Sequence, residues 1–169
     1  EFEVKVVAGI DESYPADMPA ADVPQHIACK KADAYEVGER DLVITADTLV
    51  MAEGEILGKP RDTADARRML RLLSGRRHQV TTGVCMVSTE RRSCFSVTTD
   101  VAFKELSDEE IDYYIEHYRP FDKAGAYGIQ EWIGYIGVTS LHGSYFNVMG
   151  LPVQRIYNEL TSTFGVKFG

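Results

Sequence analysis

Asp41-Leu42-Val43-Ile44-Thr45-Ala46-Asp47-Thr48-Leu49-Val50-Met51 is the stretch on which the fold turns. It is mostly apolar and β-branched, the composition of a strand covered on both faces. Glu53-Gly54 then makes a turn and Gly58-Lys59-Pro60 a loop. A helix is expected from Thr63 to Ser74-Gly75, with Ala66, Met69, Leu70 and Leu73 as its buried stripe. Upstream, residues 2–7 (Phe-Glu-Val-Lys-Val-Val) alternate until the last position and read as another strand. A polar loop with Asp11, Glu12, Pro15 and Pro19 separates it from a helix that Asp22 can cap, with Pro24 in its first turn and Gly38 at its end.

Downstream, residues 79–89 and 93–106 are β-rich and are joined by Glu90-Arg91-Arg92, which favours an antiparallel hairpin. Ser107 and Glu110 form a capping box for a helix with Ile111, Tyr114, Ile115 and Tyr118 on one side; Pro120 ends it. Residues 121–151 are rich in glycine and aromatics, as in close-packed loops and short strands. Pro152 opens a last helix expected to turn Val153, Ile156, Tyr157, Leu160 and Phe164 inward. Helices and strands mix without a regular βαβ repeat. The expectation is an α/β protein with a mixed sheet, one domain over residues 1–169.

Composition narrows the function. A net charge of -8 argues against a partner that is a nucleic-acid polymer, since such binding needs a basic face. It leaves room for a small anion, because a few cations in a cleft make a local positive field. No apolar run approaches the roughly 20 residues that cross a bilayer, and the start does not resemble a signal peptide. Cys29, Cys85 and Cys94 are scattered and odd in number, with no zinc spacing and no disulfide framework. These features point to a cytoplasmic protein with reduced thiols and no membrane partner.

Asp47 is the residue that physics singles out. An ionised carboxylate inside an apolar strand is costly unless a metal, a cation or hydrogen bonds compensate it. The strand pattern alone leaves a functional group and a loop cap equally open. Asp47 and Thr48 would point to opposite faces of a regular strand, so a shared ligand would need a break or bulge there. Lys59, with Arg61 in the same loop, is a good point charge for phosphate, although solvated turns also look like this. Lys30 and Lys31 are similarly ambiguous. The segment Asp122-Lys123-Ala124-Gly125-Ala126-Tyr127-Gly128-Ile129-Gln130 packs small residues around a glutamine whose amide can read the edge of a ring. His26, His78, His117 and His142 show no metal spacing, and no nucleophile elbow, dinucleotide fingerprint or P-loop is present.

In order, Ala28-Cys29-Lys30-Lys31-Ala32, Ala46-Asp47-Thr48, Gly58-Lys59-Pro60, Leu73-Ser74-Gly75, Thr82-Gly83-Val84, Asp122–Gln130, Gly143-Ser144-Tyr145, Asn147-Val148 and Gly150-Leu151-Pro152 resemble the Maf family of nucleotide pyrophosphatases. The likeness runs from about Phe2 to Leu160. It implies a fold related to the inosine-triphosphate pyrophosphatases: a mixed, elongated sheet flanked by helices, with a cleft between two lobes. It implies a divalent metal, Mg²⁺ or Mn²⁺, and a homodimer. Carried over by residue, Asp47 is the catalytic proton acceptor, and Glu12 with Asp47 holds the metal. Lys31 and Lys59 bind phosphate, while Thr48 and Gln130 set base selectivity. The form of Asp122–Gln130 resembles the subgroup acting on dTTP and UTP rather than the one preferring 7-methyl-GTP, with Glu131 where glycine is usual. Family members begin with a strand and a Ser-x-Ser-Pro-Arg-Arg phosphate loop, expected here to precede Glu1. The implied activity is hydrolysis of nucleoside triphosphates to monophosphate and pyrophosphate, a house-cleaning role. Its rivals are a non-catalytic nucleotide-binding regulator of septum formation and a phosphatase that releases orthophosphate.

Overall fold

The computed structural model describes residues 2–167. The elements are α1 (Val23–Asp33), β1 (Val43–Ala52), β2 (Glu55–Leu57), α2 (Thr63–Leu73), β3 (Arg77–Val87), β4 (Arg92–Phe103) and α3 (Asp108–Tyr118). A 3₁₀ turn at Ala124–Ala126 follows, then α4 (Trp132–Gly137), β5 (Val138–His142), α5 (Tyr145–Val148) and α6 (Val153–Ser162). The strands form one sheet in the order β2-β1-β3-β4-β5, so the protein is α/β.

Direction follows from the pairing. β1 with β2 and β4 with β5 are antiparallel. Thr45 Oγ1 lies 3.5 Å from Cys85 O and Thr48 Oγ1 lies 2.9 Å from Thr82 Oγ1. Positions therefore rise along β1 as they fall along β3. The same holds for β3 and β4, where Thr81 meets Thr98 and Ser88 N donates to Arg91 O. The connections β1–β2 and β3–β4 are too short for a parallel crossover. The parallel pair that makes a sheet mixed is not among the described strands.

The chain divides into two compact units. One takes the residues up to Asp47, Gly83–Ser96 and those from Gln154 on. In it α1 rests on β1 and β3, because Thr45 Oγ1 donates to Ala28 O at 2.7 Å and Gly83 lets the helix approach. A Cβ on Gly83 would stand 2.1 Å from Gln25 N, so no larger residue fits. Ala28, Ala32 and Cys85 make a small buried cluster, with Cys29, Val87 and Cys94 packed on it. The cysteines that look scattered in sequence are brought together here.

The other unit takes Thr48–Thr82 and Val97–Val153 and holds the larger core. Leu57, Leu70, Leu73, Ile111, Tyr114 and Ile133 are fully buried there. Each such side chain stabilises by about 1.5–3 kcal/mol. The expected stripe of α2 and the capping box of α3 are both present.

Three expectations are corrected. Residues 2–7 form no strand, and Phe2, Val4 and Val6 are 79–90% exposed. Alternation specifies a face, but a strand also needs an edge to accept its hydrogen bonds. α1 stops at Asp33 instead of reaching Gly38: Ala34 N and Tyr35 N donate to Lys31 O and Ala32 O, tightening the last turn. On α6 Ile156 is the buried residue, while Val153 and Tyr157 are exposed. That helix covers its neighbours along a narrower stripe than its sequence offers.

Candidate active site

In the first unit, Lys31 occupies the last turn of α1 and reaches two carboxylates. Its Nζ is 2.7 Å from Asp47 Oδ1 and 3.0 Å from Glu12 Oε1. The Asp47 and Lys31 side chains are 15% and 22% exposed, so this pair is shielded, whereas Glu12 is half exposed. Burial works against the lysine charge, but the hydrogen bond and charge of Asp47, then those of Glu12, outweigh it and hold the ammonium above its usual range.

The neighbouring lysine does different work. Lys30 Nζ donates to Asp11 Oδ2 at 2.7 Å and to Ser13 O at 2.9 Å. Asp11 in turn accepts from Ser13 N and Oγ at 2.9 and 2.8 Å. The hydrogen bond from Lys30, with that of the Ser13 backbone, holds the Asp11 carboxyl well below the carboxylate range. The result is a closed Asx turn that presents Glu12 to Lys31. A groove of about 390 Å³, within the roughly 300–1,000 Å³ of small-molecule sites, opens beside Glu12, Lys31, Thr45 and Ala46. Lys5, Val6, Val7, Gly9, Ile10 and Tyr35 also line it.

Two carboxylates already converge on one cation. Their hard oxygens match the donor set of Mg²⁺ or Mn²⁺, so Glu12 and Asp47 fit a divalent metal.

In the second unit Thr48 starts a polar chain through the core. Thr48 Oγ1 meets Thr82 Oγ1 at 2.9 Å, and Thr82 Oγ1 donates to Asn147 O at 3.0 Å. The buried Asn147 amide donates to Val80 O and to Thr99 Oγ1. Gly143 is needed beside Thr99, since a Cβ would lie 2.7 Å from Thr99 Oγ1 at a φ of +131°. The glycine-rich stretch after β5 is therefore shaped around threonines of the sheet.

Lys59 is exposed on the loop after β2, whose Gly58 O accepts from Gly125 N at 3.1 Å. Gly125 presses on β1, where its missing Cβ would meet Val50 at 3.0 Å. Gly125 and Ala126 both have positive φ, which fixes the tight path from Asp122 to Gln130. Tyr114 of α3 anchors that path: its hydroxyl accepts from Gly128 N at 3.0 Å and donates to Glu131. Glu131 also pairs with Lys123 at 3.3 Å. The residue that departs from the usual glycine is thus a brace, and Gln130 beside it is exposed.

Glu12, Lys31 and Asp47 are brought into direct contact. Asp47 and Thr48 are consecutive residues of β1. Tyr114 and Glu131 escape sequence reasoning, since one looks like an ordinary core aromatic and the other like a loop charge. His78 is a core histidine: its Nε2 is 2.7 Å from Tyr127 Oη, and burial lowers its pKa to about 4.

The family model described as "Maf-like protein" matches residues 1–163. A protein of Phocaeicola vulgatus named dTTP/UTP pyrophosphatase is 57% identical over 162 residues, covering 95% of this chain and 84% of its own. Proteins of that name from Porphyromonas gingivalis and Flavobacterium psychrophilum are 55% and 45% identical, over 94% and 93% of this chain and 82% and 81% of theirs. No helix among the described residues is long and apolar enough to cross a membrane. A match over nearly all of the sequence, with such relatives, means that the chain belongs to the Maf family.

Proposed function

We propose that this chain hydrolyses nucleoside triphosphates, dTTP and UTP foremost, to the monophosphate and pyrophosphate in the cytoplasm. The observation that carries the chemistry is the sharing of Lys31 Nζ by Asp47 and Glu12 beside an open groove. The dTTP/UTP pyrophosphatases that the chain resembles support the substrate class.

Attack at the α-phosphorus joins a water oxygen to phosphorus and breaks the bond to the bridging oxygen, whose electron pair leaves with pyrophosphate. Lys31 Nζ donates to Asp47 Oδ1 at 2.7 Å and holds that carboxylate in place, and Asp47 accepts the proton of the attacking water. Glu12 and Asp47 would hold Mg²⁺ or Mn²⁺, whose chemistry when bound is to neutralise the charge of the triphosphate. Lys31 and Lys59 stabilise charge on the leaving group. The Gln130 amide and Thr48 take the base-selecting roles, by the family resemblance, and the working form is a homodimer.

Product analysis tests this directly. With Mg²⁺ or Mn²⁺, dTTP and UTP should yield pyrophosphate and monophosphate in equal amounts, and chelation should stop the reaction. Orthophosphate as the product, or nucleotide binding without turnover, would overturn the reading.

A further inference from the structure

Away from the groove residues named above, three thiols meet. Cys29 of α1, Cys85 of β3 and Cys94 of β4 place their sulfurs within 4.8 Å of one another. Cys29 Sγ is 3.0 Å from Cys94 Sγ, and Cys94 Sγ is 3.2 Å from Cys85 Sγ. Cys85 and Cys94 are opposite each other in the hairpin, in the register that pairs Thr81 with Thr98 and Ser88 with Arg91. The third thiol comes from the helix laid over them.

Cys85 is fully buried, while Cys29 and Cys94 are half-buried. Their surroundings are Ala28, Ala32 and Val87, a soft and apolar shell. One cation stands at the rim: Arg92 Nη2 donates to Cys29 O at 3.2 Å and Nη1 pairs with Asp33 at 2.7 Å. A disulfide would join two of the sulfurs at about 2.0 Å and leave the third in contact without a role. Three mutually close sulfurs suit a single ion better. Zinc–sulfur bonds of about 2.3 Å place thiolates roughly 4 Å apart, within the 4.8 Å that encloses these three sulfurs.

We propose that Cys29, Cys85 and Cys94 form a site for one thiophilic divalent ion, of the zinc class, bound as three thiolates. On binding, three S–H protons leave to solvent as three sulfur–metal bonds form. Three thiolates and one divalent ion carry a net charge of −1, beside the Arg92–Asp33 ion pair at the rim. Cys29 and Cys94 are only half-buried, so water can supply a fourth ligand. The ion joins α1 to the β3–β4 hairpin two residues before Lys31. Sulfur donors separate this site from the carboxylate oxygens of Glu12 and Asp47, which favour hard ions.

Cobalt(II) added to the reduced full chain separates the two kinds of site, because only thiolate ligation gives an intense sulfur-to-cobalt charge-transfer band. One equivalent should saturate that band, zinc should bleach it stoichiometrically, and excess Mg²⁺ should leave it unchanged. Cys29→Ser and Cys94→Ser should each lose most of it while keeping the circular dichroism of the parent. These two are chosen because they are half-buried, so the test does not rest on the buried Cys85. A reduced chain with no such band overturns the site. So does a band that survives both substitutions, or one that Mg²⁺ removes.

Discussion

Lys31 sits where two carboxylates need the same cation, so its removal has consequences that loss of a surface charge does not. Lys31→Met removes the cation that the mostly shielded Asp47 and the half-exposed Glu12 share. Turnover should fall by about tenfold or more, equivalent to at least about 1.4 kcal/mol of transition-state stabilisation, as steady-state kinetics will report. Because the pKa of Lys31 is raised by folding, its contribution to stability is complete below the ordinary lysine value of 10.5 and is lost as pH climbs through the higher folded value. His78 acts in the opposite direction. Burial lowers it from 6.5 to about 4, so between those values the unfolded chain binds a proton that the folded chain refuses. Stability therefore drops as pH falls through this window, by up to about 3 kcal/mol from this group. Denaturant melts at pH 7 and pH 5 should show the loss, and His78→Gln should flatten it.

At the scale of elements, the contact between α1 and the sheet sets the site. Gly83→Ala places a methyl group against the backbone of Gln25, and only movement of the helix can relieve it. The expected cost is at least about 2 kcal/mol, read as a lowered melting point. Activity should suffer even below the melting point, because Lys31 rides on the displaced helix. The elements that sequence revealed are those with local causes: the stripe of α2, the Ser107–Glu110 box, the hairpin between β3 and β4. The elements it misread depend on partners that local pattern does not name. Residues 2–7 carry strand alternation but pair with no edge, and α6 has more apolar positions than its neighbours cover. Lys30 and Lys31 look alike in sequence and separate only when the Asp11 turn and β1 are placed around them.

For the whole molecule, the α/β class was legible in the mixture of apolar strands and amphipathic helices, whereas the antiparallel course of β1 against β3 and of β4 against β5 needed the long-range register. The candidate site was legible in part. Asp47 could be picked out as a charge in an apolar strand, but its alliance with Lys31 and Glu12 joins residues 16 and 35 positions away and rests on tertiary contact. The clustering of the three thiols was invisible for the same reason, since their spacing follows no metal motif. The most direct test of the whole proposal is Asp47→Asn, which keeps the shape of the side chain and removes its charge. Pyrophosphate release from dTTP with Mg²⁺ should be measured for both proteins, alongside their thermal melts. The expected result is a loss of about 10²-fold or more in kcat with the fold retained, the scale of a lost general base. Near-normal turnover in the folded Asp47→Asn protein would contradict the assignment and move the proton acceptor elsewhere.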